Sequence, residues 1–394
     1  MESSLTRRKL LQVSAAAAAL PMTGALAQVP ALPKSPVALN LVDVAGNLAL
    51  TQPAFEAYRK AKPELVSKIT FTKAPAPELP GKIKAQQDAN RVDIDLVLTG
   101  LDGLSAGIEQ KLWVELLPAY ASALPKLDDI LLPAAVKMQA VAAGQGVIVI
   151  TSPGGPILEY IPERVKNPPT TAEEFLAWTK ANPNKFIYAR PANSGPGREL
   201  MMGLPYILGD KDPKDPVNGW EKTWAFLEAI GENIEYYPTG TGATMKELGE
   251  GTRDMVASMT GWDLNPRIIG VVPKNAQITT LKGFRWIQDA HYMCVPKGLP
   301  PEKLAVLLDL ISFMMKKEQQ AVTYDQGYAY PGPAVKGVGL ELAPPESQAA
   351  IKEFGRPEYD KLIADVPAEL PLDPDKMVIA FKMWDQKIGG KKIK

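Results

Sequence analysis

The chain has 394 residues, 46% hydrophobic and 22% charged, a balance that suits a globular protein of two or three domains with a sizeable core. Lys+Arg and Asp+Glu are equal at 44 each, which argues against a nucleic-acid partner or an electrostatically held membrane surface. One cysteine, Cys294, rules out an intrachain disulfide, and one histidine beside it leaves little for a zinc site.

The N-terminus reads as an export signal. Thr6-Arg7-Arg8-Lys9 precedes an apolar stretch through Ala15–Ala19, and Ala25-Leu26-Ala27 offers the small residues that a signal peptidase reads. The arginine pair resembles a twin-arginine signal. The expectation is removal of residues 1–27 and a periplasmic mature protein. The apolar stretch is too short to span a bilayer, and no later segment is long and apolar enough to do so.

Val37–Val42 reads as a buried strand, followed by the turn-rich Asp43-Val44-Ala45-Gly46-Asn47. Thr51-Gln52-Pro53 opens a helix, Ile69–Phe71 is a strand, Gly81–Asn90 is helical, and Asp95–Thr99 is a strand. This alternation marks a parallel α/β sheet. Gly146–Thr151 is a further strand that ends in the breaker cluster Ser152-Pro153-Gly154-Gly155-Pro156, taken as a crossing between domains. Thr171-Ala172-Glu173-Glu174 has capping-box spacing. Strands follow at Lys185–Ala189, Ile234–Tyr237 and Met255–Met259, with helices after Gly197, over Gly219–Ile230 and around Ala243–Leu248. Lys282–Val295 gives two strand-like runs returning to the first domain. Pro301 opens an amphipathic helix with Leu304, Leu307, Leu308, Ile311 and Met315 at helical spacing, and Met377–Trp384 closes the chain as a helix.

Several stretches in this order carry a likeness. They are Asp95–Thr99 with Gln110–Pro118, the Gly146–Thr151 crossing with Pro168–Phe175, Gly261-Trp262 after a strand, and the Pro301–Gln320 helix with Tyr324-Asp325-Gln326-Gly327. Together they resemble the extracellular solute-binding proteins of ATP-binding-cassette importers, in particular the spermidine/putrescine branch of the large group that also holds maltose, thiamine and ferric-ion binders. The resemblance implies an α/β, two-lobed periplasmic binding protein type II fold with a hinge between two α/β domains. It implies a monomer that holds a small solute in the cleft and presents it to an inner-membrane permease with its cytoplasmic ATPase. The expected division is 37–150 with 282–322 for one lobe, and 151–281 with 323–394 for the other.

Ligands of open parallel sheets collect beyond the carboxyl ends of the strands. Candidate binding residues are therefore Asp43, Gly46, Asn47, Thr99 and Asp102 from the first lobe, Ser194, Gly195, Arg198, Trp262 and Asp263 from the second, and Asp289 and Tyr292 on the return. Ser194-Gly195-Pro196-Gly197-Arg198 at a helix start could hold an anion or simply cap the helix. Trp262 offers either a flat face to an organic cation or a core side chain. Tyr236-Tyr237 suggests the paired tyrosines of ferric-ion binders, but strand neighbours point to opposite faces. His291 lacks a nucleophile elbow or a triad around it and reads as a strand residue. No catalytic residue, metal ligand or cofactor motif stands out: Gly240-Thr241-Gly242 lacks the third glycine of a dinucleotide fingerprint, and no Walker lysine is present. An organic cation such as a polyamine is the expected ligand, with an anionic or zwitterionic solute or ferric ion as the alternative, and a periplasmic sensor as the alternative to an importer.

Overall fold

The computed structural model describes residues 26–44, 48–76, 78–390 and 392. Most of the expected export signal lies outside the described residues, as do Gly46 and Asn47. Two sheets organise the chain. The first holds β1 (Val37–Asp43), β2 (Val66–Lys73), β3 (Leu96–Thr99) and β4 (Val147–Gly155). The second holds β5 (Ile157–Tyr160), β6 (Phe186–Ile187), β7 (Met255–Ser258) and β8 (Gln277–Thr279). The chain then returns to the first sheet with β9 (Trp286–Cys294), β10 (Gly332–Pro333) and β11 (Ala368–Glu369).

The order in the first sheet is β10-β4-β9-β3-β1-β2, with β11 beside β9; in the second it is β6-β7-β5-β8. β1 runs parallel to β2 and β3, and the apolar Leu39, Leu41 and Leu96–Leu98 are fully covered, as strands of a two-sided layer require. β9 lies antiparallel between β3 and β4. The chain passes directly from β4 into β5 at Gly155-Pro156 and comes back from β8 to β9, so two strand connections join the lobes.

Ser194 caps the helix Gly195–Leu208 by accepting a hydrogen bond from Gly197 N at 3.1 Å, and Gly209 ends it in the left-handed conformation at φ 63°. Thr171 caps the helix Ala172–Ala181 in the same way, and the Glu174 carboxylate accepts from the backbone N and the hydroxyl of Thr170.

Several sequence expectations are corrected. The first helix starts at Leu48, a turn early, so Pro53 lies inside it. Lys185–Ala189 pairs only at Phe186–Ile187. Ile234–Tyr237 forms no strand. Its apolar residues pack into the second lobe, where Tyr237 meets Tyr188 and Trp384 edge-on, and Tyr237 N bonds to Lys392 O. Met259 leads into the helix Thr260–Ile268, not a loop. The lobe boundaries also move. β4 stays in the first sheet to Gly155, past the expected break after 150, because β9 continues to pair with it. β10 and β11 return to the first sheet although the chain from 323 was assigned to the second lobe. The final helix, Pro374–Trp384, bridges the lobes. Its Lys382 meets Glu109 at 3.3 Å, and Trp384 Nε1 donates to the Tyr188 hydroxyl at 3.0 Å.

Candidate functional site

A cavity of about 300 Å³ lies between the two sheets. The first lobe supplies Asp102 from the start of the helix Leu101–Glu109, Ser152 from β4, and Asp289 and His291 from β9. The second supplies Ser194, Gly195 and Arg198 from one helix start, Thr241 from another, and Trp262 from a third. Tyr328, on the turn after Gly327, closes one side against Trp262, with ring centroids 5.3 Å apart.

The charged centre is buried. Arg198, 2% exposed, points its Nη2 at both oxygens of Asp289, at 3.2 Å each, and its Nη1 lies 3.7 Å from Asp102 Oδ2. Asp289 also accepts from Ala290 N, and Asp102 from Gly103 N. The Arg198 Nε has no partner among the described residues. Asp43 stands buried at the end of β1, and its charge, together with those of Asp289 and Asp102, reinforces the effect of burial in pushing the Tyr328 hydroxyl well up. Two carboxylates, Asp102 and Asp289, thus flank one guanidinium, with Asp43 adding its charge at Tyr328, and the site carries an excess of negative charge. Burial lowers the pKa of His291, which keeps the imidazole neutral near pH 7 despite its acidic neighbours.

Small residues let the lobes approach. A Cβ on Gly195 would come within 2.9 Å of Met259 Sδ and 3.5 Å of Asp289 Oδ2. Ser152 Oγ and Thr260 Oγ1 are 2.9 Å apart across the lobes, and Ala76 N donates to Asn193 Oδ1 at the cavity edge. Ser194 Oγ and Thr241 Oγ1, 2.7 Å apart, tie two helix starts together on the far wall.

Of the sequence candidates, Asp102, Ser194, Gly195, Arg198, Trp262 and Asp289 line this cavity. Others do not. Thr99 is buried in β3, with its hydroxyl on Gly100 O. Tyr292 points into the first lobe and donates to Met138 O at 2.8 Å; on β9 it has the opposite parity to Asp289 and His291. Asp263, one helical step from Trp262, faces the interior of the second lobe, where Arg267, Arg356 and Tyr359 bond its carboxylate. Asp43 reaches the site through its field. His291, which the sequence places with Asp289 and Tyr292 on the return strand, also lines the cavity, whereas Tyr328 was not among the sequence candidates. The i, i+2 spacing of Asp289 and His291 on one strand was a usable signal, whereas Tyr328 arrives from a distant turn that local pattern does not mark. Tyr236 and Tyr237 form no metal pair: Tyr236 bonds to Glu247, and Tyr237 lies in the aromatic cluster. Among the described residues no group of three or more His, Cys, Asp or Glu is placed to hold a metal ion, and no helix is long and apolar enough to cross a membrane.

Known structures share this fold. The periplasmic thiamin binding protein superposes with a TM-score of 0.62 at 14% identity, covering 92% of this chain and all of that one. The spermidine/putrescine ABC transporter substrate-binding protein from Streptococcus pneumoniae gives 0.57 at 15% identity, covering 88% and 99%. The apo ferric ion-binding protein A of Pasteurella haemolytica gives 0.60 at 16% identity, covering 89% and 97%. At such identities the likeness speaks for the two-lobed α/β fold alone. No curated protein matches the sequence. The family description "bacterial extracellular solute-binding protein" matches residues 54–353, most of the chain, and the protein therefore belongs to the bacterial extracellular solute-binding protein family.

Proposed function

We propose that this protein is the substrate-binding component of an ATP-binding-cassette importer and that it captures a small organic cation, polyamines being the model class. Export by a signal over residues 1–27, work as a monomer in the periplasm and delivery to a permease with its ATPase complete the reading. One observation carries the choice of ligand: buried Asp102 and Asp289 outnumber Arg198 in a cavity faced by Trp262 and Tyr328, and the charge of buried Asp43 reaches Tyr328. Acids attract an ammonium group, and an aromatic face holds one by its quadrupole. No covalent step is involved. Binding is reversible, and closure of the lobes shields the ligand from water.

Isothermal titration calorimetry of the purified mature chain tests this. Putrescine or spermidine should bind in the micromolar range or tighter, and a dicarboxylate, a sugar phosphate and ferric citrate should not. Tight binding of one of the anions with none of the amines would sink the reading. An anionic or zwitterionic ligand is the second reading. It is favoured by the starts of the helices Gly195–Leu208 and Thr241–Glu250, which both border the cavity and carry no acid in their first turns.

A further inference from the structure

We propose that Arg198 is a tethered surrogate for the ligand: its guanidinium occupies the cation seat of the first lobe, clasps the lobes together, and must be displaced or outbid by an incoming ammonium group. This rests on the organic-cation reading above and assigns a specificity-determining role within it.

The argument begins with where the partners come from. Arg198 is carried by the helix Gly195–Leu208 of the second lobe, and Asp102 and Asp289 belong to the first. All three side chains line the cavity and are at most 5% exposed. The ion pair is therefore an interlobe contact made inside the binding space, not a strut beside it. A guanidinium between carboxylates is the chemistry that an organic cation would offer the same acids.

Charge count sets the consequence. Two acids in direct range of one guanidinium, with Asp43 adding its field at Tyr328, leave the site short of positive charge even with Arg198 in place. Arg198 thus lowers the charge that a ligand must bring without abolishing the demand. Removing it should raise the preference for more highly charged amines and should weaken closure in the empty protein. A residue that instead contacted an acidic group of the ligand would behave in the opposite way, since its loss would weaken binding.

The test combines two readouts on Arg198→Met: small-angle X-ray scattering without ligand, and calorimetric titration with putrescine and spermidine. The expected result is a larger radius of gyration than wild type in the empty variant, a return to the wild-type radius on adding spermidine, and spermidine binding about tenfold tighter than in wild type. An unchanged radius overturns the clasp, and weaker amine binding by the variant overturns the competition. Opening of the variant with no amine bound by either protein overturns the ligand class proposed above, and Arg198's part as competitor with it. If Arg198→Met does not fold, Asp102→Asn keeps the side-chain shape, removes one acid from the clasp and should show the same expansion.

Discussion

Trp262 and Asp263 are neighbours in one helix and face different compartments: Trp262 borders the interlobe cavity, and Asp263 is fully buried in the second lobe. Asp263 accepts from Arg356 Nη2 at 2.6 Å and Nε at 2.7 Å, from Arg267 at 3.1 Å and from the Tyr359 hydroxyl at 2.7 Å. It thereby fixes the helix Pro357–Asp365 onto the second lobe. Asp263→Ala should cost about 3–5 kcal/mol, because two buried arginines would lose their counter-charge. Urea denaturation measures this loss. Ligand affinity of the fraction that remains folded should be unchanged.

Trp262→Leu tests the aromatic wall. It keeps apolar bulk and removes the π face, so a cationic ligand should lose about 1–2 kcal/mol, between fivefold and thirtyfold in affinity. A neutral ligand should lose less. Calorimetry with matched charged and uncharged compounds separates the two cases.

Asp289→Asn removes one acid of the seat while keeping its shape. For an organic cation, affinity should fall by at least tenfold, the usual weight of a buried charge-assisted hydrogen bond. Because Asp289 is buried, salt should screen this contact only weakly, so the deficit relative to wild type should be nearly the same at low and at high salt. Titrations at two salt concentrations check both statements.

Glu199 offers a pH prediction. It follows Arg198 in the helix and is buried against Gly154 and Gly155 on β4, where a Cβ on Gly155 would stand 2.7 Å from its Oε2. Burial, with the Asp289 charge second, pushes its carboxyl well above the usual range, and Arg198 offsets this in part. The folded protein therefore holds a proton that the unfolded chain releases above about pH 4.3. Stability should fall as pH rises from there toward the raised value, by up to about 1.4 kcal/mol per pH unit from this group. In Glu199→Gln that slope should be absent. Urea midpoints of the two proteins from pH 5 to pH 8 should diverge in favour of the variant as pH rises.

Much of the fold could be read from short apolar runs between breakers. β1, β3, β4 and β7 announce themselves because strands covered on both faces need unbroken apolar residues. Ile234–Tyr237 has the same local pattern, yet its burial comes from aromatic packing and the C-terminal segment, information that lies far along the chain. The site was legible to the extent that it follows strand ends. Asp102, Ser194, Arg198 and Trp262 sit just beyond β3, β6 and β7, and the chain must turn there toward the cavity. Facing was less legible. Asp263 was misplaced because the residues after β7 coil into a helix, where one step turns a side chain by about 100°. Tyr292 was misplaced because the alternation along β9 can be phased only once its partners are known.

The place of β9 in the first sheet bears on how the protein is made. β9 separates β3 from β4, although more than a hundred residues, including the whole second sheet, intervene between β4 and β9 in the chain. While a ribosome is still short of residue 286, the nascent first lobe has a gap at its centre: β3 is paired on one edge only, with β1, and β4 still lacks both of its partners, β9 and β10. Non-local pairing of this kind is slow to form. The second sheet, complete by Thr279, can assemble earlier, so the order of maturation should run opposite to the order in which the lobes begin.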